Sequence, residues 1–443
     1  MTQTDIANGA DSAAAAASTP FWKTNSARIL LALALGLLLG IVSAGASWSE
    51  SAITAANFVG NLWLNALKMT IIPLIVGLLI TGIVQTAEAA RAGRVTLRAV
   101  IWFLVLLWGS TVFCAFYIPA LLSIFPIPQE SAAALKAALS TAEKVEQVPN
   151  IVDFLKNLIP TNVFKAAVED GILPIIIFTT MFAFAVTKID RTYRQSLATF
   201  FAALTDAMVV MIHWVLLAGP LGVFGLAYVV AAQTGAQALG ALAHYVAIVS
   251  SMGILVFLFA YVFAVLVARL PFGKFAKAAI PSQVVAISTQ SSLASLPAML
   301  RGTEMLGVRR QIADVVLPLA VALFRATSPS MNLAVALYVA HWYGIEITPT
   351  MLVAGVATAA LTTMGSVSLP GTVSFVASIA PICIAMGLPV APLALLIAVE
   401  TIPDIFRTVG NVTMNVALTS AIDRQSAGDL AELPADPAQH PAP

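Results

Sequence analysis

The stretch Ser288–Met299, "STQSSLASLPAM", breaks an apolar segment with a run of serines closed by Pro297. A second apolar segment is broken in the same manner by "TTMGSVSLPGTVS", Thr362–Ser374. Small, hydroxyl and proline residues in the middle of an apolar run end a helix there. Each break reads in two ways: as a kink between packed helices, or as the tip of a hairpin that enters a bilayer and leaves on the same side. Irregular backbone at that depth is tolerated only where protein buries it or a cavity borders it.

Working outward, the flanking charges orient the two breaks. Basic residues cluster after alternate apolar spans, at Arg91, Arg94 and Arg98, at Lys188, Arg191 and Arg194, at Arg269, Lys274 and Lys277, and at Arg424. The loops near 49–52, 233–240 and 341–348 carry none, which is the positive-inside pattern with both termini cytoplasmic. Arg301, Arg309 and Arg310 follow the first break and place its ends inside; one span intervenes, so the ends of the second lie outside. Two opposed broken elements meeting near the midplane are the plan of a transporter built from inverted repeats. The earlier spans are expected at 26–47, 53–90, 97–125, a broken 150–188, 194–231 and 240–269.

Composition agrees with this plan. Of 443 residues, 60% are hydrophobic and 10% charged, against roughly 45–50% and about 25% in soluble domains. The chain is therefore a polytopic all-α membrane protein. A formal net charge of +1 lacks the basic footprint of a nucleic-acid binder. Cys114 and Cys383 sit in apolar runs, and His213, His244, His341 and His440 are scattered, so neither a disulfide framework nor a metal site is expected. Residues 1–25 read as a disordered cytoplasmic lead rather than a signal peptide, and 425–443, rich in Pro and Ala, as a disordered cytoplasmic tail.

The last apolar stretch raises a chemical question, because it contains "DIFRTVGNVTMN", Asp404–Asn415. On a helix, Glu400, Asp404, Arg407, Thr408, Asn411 and Asn415 fall three and four residues apart and form one polar stripe. Ionisable groups within a span face a protein interior or a wet cavity and mark a functional site. Arg407 offers a planar fork suited to a carboxylate, and Asp404 a partner for an ammonium, which together describe a zwitterion with one extra negative charge. The competing reading is that Asp404 and Arg407 pair with each other and hold helices together. Asn411 could bind a second carboxylate or cap a helix break. At the first tip, Ser291 and Ser292 lie where half-helix N–H groups favour an anion; the second tip, with Ser368, Leu369, Pro370 and Gly371, would close over it.

With these residues in view the chain resembles the dicarboxylate/amino acid:cation symporters, the glutamate-transporter family. "LKMTIIPLIVGLLITGI" (67–83) is similar to the second-span signature of that family and "GPLGVFGL" (219–226) to its fifth-span signature. "STQSSLASLP" resembles the serine-rich first hairpin, "SVSLPG" (366–371) the tip of the second, and "DIFRTVGNVTMN" the last-span Asp-x-x-Arg-Thr-x-x-Asn-Val pattern. The resemblance covers about residues 25–424. It implies eight transmembrane helices plus two opposed re-entrant hairpins, in a homotrimer of the bacterial inner membrane whose transport core moves like an elevator. On it, residues 26–96 and 150–236 are scaffold helices, 97–125 a core helix, 126–149 an extracytoplasmic loop and 237–424 the hairpin-bearing transport core. Carried over by position, Arg407 binds the substrate's side-chain carboxylate, Asp404 its amino group, and Asn411 and Ser292 its α-carboxylate, with Thr408 alongside. Keeping both the acid and the arginine points to aspartate or glutamate.

Departures from the family pattern concern the coupling ion. The seventh-span break reads "LPLAVALFRATSPSMNLAVALY" (317–338), without any acid, and Asn332 is the nearest ligand candidate. Where the family has a sodium-binding acid in the last span, this chain has Asn415, and an amide is a poorer ligand for a hard cation than a carboxylate. Arg325 adds a charge at the altered break, either snorkelling or paired near an interface, or standing as a fixed cation in the core. If Arg325 stands in the core, the coupling cation is a proton, or transport is ion-independent exchange; the open alternative is sodium, held in an oxygen cage of backbone carbonyls and Asn332. No cofactor is expected, and the partners are a small acidic amino acid or dicarboxylate and membrane lipid. Pro403 would either kink the last span or start a helical turn at Asp404. Other readings are a C4-dicarboxylate transporter and a channel or sensor on the same fold. An intramembrane hydrolase is disfavoured because no His or Lys lies in the hairpin to activate Ser291 or Ser292.

Overall fold

The computed structural model describes residues 25–44, 46–127, 159–169, 171–235, 237–365 and 371–426, and among them every regular element is helical. Nearly all of the expected N-terminal lead, C-terminal tail and 126–149 loop lies outside the described residues; Asn25 begins the first helix, Gln425 ends the last, and Ser426 follows it in a turn rather than a disordered tail. The first half runs α1 (Asn25–Ser43), α2 (Ser49–Lys68), α3 (Ile71–Arg91), α4 (Arg94–Ile124), α5 (Val163–Val168), α6 (Ile172–Val186), α7 (Arg191–Leu217) and α8 (Gly219–Thr234). The second half runs α9 (Gln237–Leu266), α10 (Phe272–Thr289), α11 (Leu296–Leu306), α12 (Arg310–Leu323), α13 (Ser328–Tyr343), α14 (Pro349–Gly365), α15 (Gly371–Ala385), the single turn α16 (Leu393–Leu396) and α17 (Thr401–Gln425). Among the described residues five helical stretches, Ser49–Arg91, Arg94–Ile124, Arg191–Leu217, Leu239–Leu266 and Arg310–Tyr343, are long and apolar enough to cross a membrane. Shorter apolar helices accompany them at Ala27–Ser43, Pro174–Val186, Gly219–Gln233, Pro349–Thr363 and Phe375–Ala385.

Two spans that the apolar pattern presents as continuous are interrupted. The expected 53–90 helix parts at Met69–Thr70 into α2 and α3. The expected 194–231 helix parts at Ala218, because Pro220 belongs in the first turn of a new helix, where its missing N–H costs nothing. The first serine-rich break is real. Helix α10 stops at Gln290 in the left-handed region (φ 51°), a turn follows, and α11 opens with Pro297 in its first turn and packs back on α10. Gly307 (φ 83°) ends α11 in the left-handed conformation that glycine adopts without a Cβ penalty.

Packing has two centres, bridged by α3, which also lies against α4, α14 and α15. In the first, α8 lies against α1 and α2, while α3 packs on α6 and α7. Glycines bring α1 and α8 close: a Cβ at Gly40 would come within 2.6 Å of the Tyr228 carbonyl and one at Gly36 within 2.7 Å of that of Phe224, the small-residue contact that membrane helices use in place of hydrophobic burial. The Ser43 hydroxyl donates to Tyr228 Oη at 2.8 Å, and Trp63 Nε1 donates to the Val215 carbonyl at 2.9 Å. In the second group α17 is central, buried along most of its length and packed on α4, α9, α10, α11 and α12. Its far end is clasped: Arg309 pairs with Asp423 at 2.7 Å and donates to the Ser426 carbonyl at 3.3 Å, while Trp102 Nε1 donates to Gln425 at 3.1 Å. Arg98 also donates to the Ser426 hydroxyl.

Candidate functional site

The chemistry gathers at the head of α17. Pro403 stands in the first turn of this helix, so it starts a helix rather than kinking one, and Glu400 is the residue just before that turn. The Asp404 N–H donates to the Glu400 carbonyl at 2.9 Å. One and two turns on, the stripe faces inward. Arg407 Nη2 lies 2.7 Å from Glu400 Oε1 and Nη1 lies 3.5 Å from Asp404 Oδ1. The Glu400 side chain is wholly buried and that of Arg407 is 8% exposed. Tyr245, reaching across from α9, donates its hydroxyl to Glu400 Oε2 at 3.1 Å. Asp404 and Arg407 do pair with each other, and a second acid joins them. Glu400 engages Arg407 Nη2, whereas Arg407 Nε has no hydrogen-bond partner among the described residues. A donor left unspent on a buried guanidinium is what an incoming carboxylate needs.

The seventh-span break adjoins this cluster. Helix α12 ends at Leu323, Phe324 is extended, and α13 starts at Ser328. Side chains of two neighbouring helices bond the backbone in and just after the break. On α4, the Ser110 hydroxyl donates to the Ala326 carbonyl at 3.2 Å and the Cys114 thiol to the Ser330 carbonyl at 3.0 Å. On α17, Asn411 Oδ1 accepts the Thr327 N–H at 3.0 Å, and the Thr327 hydroxyl lies 2.9 Å from both that oxygen and the Arg407 carbonyl. Asn411 therefore caps the break with its oxygen, leaving its Nδ2 for another acceptor. Arg325 lies in the break, half-buried, where the charges of Asp404 and Arg407 both act on it.

The remaining candidates are placed as follows. The Thr408 hydroxyl donates to its own helix, to the Asp404 carbonyl at 2.9 Å. At the first tip the Ser291 hydroxyl accepts the Ala294 N–H at 3.2 Å, and the Gln290 amide donates to the Thr401 carbonyl at 3.4 Å, which sets the tip beside the head of α17. Ser292 is half-buried in that turn. Asn332, in the second turn of α13, and Asn415, deep in α17, are buried; neither amide atom of Asn415 has a hydrogen-bond partner among the described residues. Ser368, Leu369 and Pro370 lie outside the described residues, and Gly371 opens α15. Glu400 stood in the stripe without a role in the sequence, signalled only by its seven-residue offset from Arg407. Tyr245 and Thr327 carry no such signal.

Gly410 shows how tightly this arrangement is set. A Cβ there would lie 2.5 Å from the Thr327 methyl group and 3.5 Å from the Gly253 carbonyl of α9. Thr327 is held by its hydrogen bonds and cannot rotate away freely. Gly410→Ala is expected to cost about 1–3 kcal/mol through overpacking, read as a lower midpoint in thermal unfolding of the detergent-solubilised protein. An unchanged midpoint would show that the break yields without strain.

Comparison with known proteins completes the description. The family model described as the sodium:dicarboxylate symporter family matches residues 26–425. The chain is 28% identical to the proton/sodium-glutamate symport protein of Bacillus subtilis (strain 168) over 396 residues, covering 88% of this chain and 89% of that protein. It is 28% identical to the proton/glutamate-aspartate symporter of Escherichia coli (strain K12), over 88% of this chain and 90% of the relative. It is also 26% identical to the C4-dicarboxylate transport protein of Rhizobium etli, over 91% and 90% respectively.

Proposed function

Since the chain belongs to the sodium:dicarboxylate symporter family, we propose that it carries acidic amino acids, aspartate or glutamate, across the bacterial cytoplasmic membrane by secondary active transport. One observation carries the choice of substrate: a buried arginine, its Nε without a hydrogen-bond partner among the described residues, stands beside a buried aspartate, so one site offers a cation for a carboxylate and an anion for an ammonium. In this reading Arg407 takes the side-chain carboxylate and Asp404 the amino group. Asn411, through Nδ2, and Ser292 take the α-carboxylate, with Ser291 and Thr408 shaping the turn and helix around it. Residues 368–371 form the gate.

The second reading is C4-dicarboxylate transport, favoured by the 26% identity to a protein of that name. Asp404 argues against it, because a dicarboxylate without an ammonium leaves this acid facing like charge. Radiolabelled aspartate and succinate uptake into proteoliposomes separates the two readings. Accumulation of aspartate above the external concentration supports transport, whereas gradient-following flux would point to a channel.

The proposed architecture is eight transmembrane helices plus two opposed re-entrant hairpins in a homotrimer, with both termini cytoplasmic. A scaffold (26–96 and 150–236) and a mobile core (97–125 and 237–424) move past each other like an elevator. Its support is the packing of α4, which lies most extensively against α13 and also touches α9, α12, α14 and α17 of the second half, while keeping a contact with α3 of the first. Support for the first hairpin comes from the break at Gln290 and the return packing of α11.

The coupling cation follows from the ligands. Asn415 and Asn332 are uncharged, and an amide oxygen holds sodium more weakly than a carboxylate does. Aspartate uptake is therefore expected to vary little when sodium is replaced by choline at fixed pH, and to rise with an inward proton gradient. Steep sodium dependence in the same proteoliposomes would overturn this assignment.

A further inference from the structure

We propose that Glu400 takes up one proton each time an acidic substrate binds and releases it when the substrate leaves, making Glu400 the residue through which transport is coupled to protons. This rests on the reading that Arg407 receives a substrate carboxylate.

Formal charge at the site motivates the step. Glu400 is faced from its own element by Asp404 and Arg407 and from α9 by Tyr245, while Arg325, in the α12–α13 break, acts on Asp404 and Arg407. Behind Tyr245 stands Tyr338 of α13 in edge contact at 5.2 Å, and Tyr338 is hydrogen-bonded to His244 at 3.1 Å. Two guanidinium cations thus balance two carboxylates. Aspartate or glutamate adds a net single negative charge to this balanced, buried cluster, and an uncompensated charge in such surroundings is costly.

Geometry selects which carboxylate is protonated. The 2.7 Å contact with Arg407 is the only ion pair Glu400 makes among the described residues, and the Glu400 side chain is wholly buried. When Arg407 turns its donors to the substrate, Glu400 keeps only the Tyr245 hydroxyl. A buried carboxylate that loses its counter-ion is neutralised by a proton rather than left charged. Asp404 does not face this loss, because the substrate ammonium arrives as its new partner. The proton comes from water on the side to which the site is open. On the other side, substrate departure returns Arg407 to Glu400 and expels the proton to water. Cations, anions and the zwitterion then balance in both states.

The test is calorimetry of aspartate binding to the purified full-length protein in buffers of different ionisation enthalpy, which counts protons taken up, repeated across pH. Wild-type protein should take up about one proton per aspartate near neutral pH, with Kd rising about tenfold per pH unit on the alkaline side, as linkage requires. Glu400→Gln, fixed in the neutral form, should bind aspartate without proton uptake and with Kd independent of pH. Glu400→Asp should retain uptake with a displaced pH midpoint, and it decides the matter if the glutamine variant does not fold. Full proton uptake by Glu400→Gln, an unmoved midpoint in Glu400→Asp, or wild-type binding with no uptake would each overturn the assignment. Failure of the wild type to bind aspartate, glutamate or succinate would instead overturn the transport reading, and this proposal with it.

Discussion

Replacing Arg407 by alanine is expected to abolish measurable aspartate binding. Truncating one partner of a desolvated charge pair costs about 2–5 kcal/mol, so affinity should fall by roughly thirtyfold to several thousandfold. The same substitution leaves Glu400, with its side chain wholly buried, without its cation, and stability should fall by about 3–5 kcal/mol as well. The two losses are separable. In the double variant Arg407→Ala/Glu400→Gln the orphaned charge is gone, so thermal stability should largely return while binding stays lost. Calorimetry and thermal unfolding on purified protein read the two quantities independently. Undiminished aspartate affinity in Arg407→Ala would remove Arg407 from the binding site.

The second large effect is a change of substrate. Asp404→Ser removes the acid that answers an ammonium and repels a second anionic end. Hydrogen bonds to charged groups contribute about 1.5–3 kcal/mol, so the preference for aspartate over succinate should fall by roughly ten- to a hundredfold, with malate behaving like succinate. The substitution leaves untouched the 2.7 Å contact that holds Arg407 on Glu400, so the carboxylate site is expected to survive. Competition of unlabelled succinate and aspartate against labelled aspartate uptake gives the ratio directly. Equal selectivity in wild type and variant would show that Asp404 serves only to position Arg407.

Much of the fold and part of the site were legible in the sequence, for physical reasons that differ between residues. The first break is written in residue types that cannot continue a helix, and it appears where the serines and Pro297 place it. The polar stripe is written in helical spacing, and Asp404, Arg407, Thr408 and Asn411 share one buried face of α17. The breaks at Met69–Thr70 and Ala218 were obscured by the long apolar runs on either side of them, although Lys68 and Pro220 stand beside them. Of the two roles open to Asn411, its oxygen performs the capping one, a choice that depends on where Thr327 lies in space. The ion pair of Glu400, the hydroxyl of Tyr245 and the bonds from Ser110 and Cys114 to the broken backbone all run between helices. Contacts of that kind leave no periodic mark on any single segment.

The central position of α17 has a consequence for how the protein is made. This helix carries the buried charges, is not among the stretches apolar enough to cross a membrane unaided, and yet is buried by five neighbouring helices. Chains emerge from the ribosome N-terminus first, so every one of those neighbours is already synthesised before residue 401 appears. Until then α4 and α9–α12 surround an unfilled groove, and the newly made α17 must enter a protein-lined space rather than lipid. Assembly of the core is therefore a late event in biosynthesis, completed only as Asp423 and Ser426 reach Arg309 and Arg98.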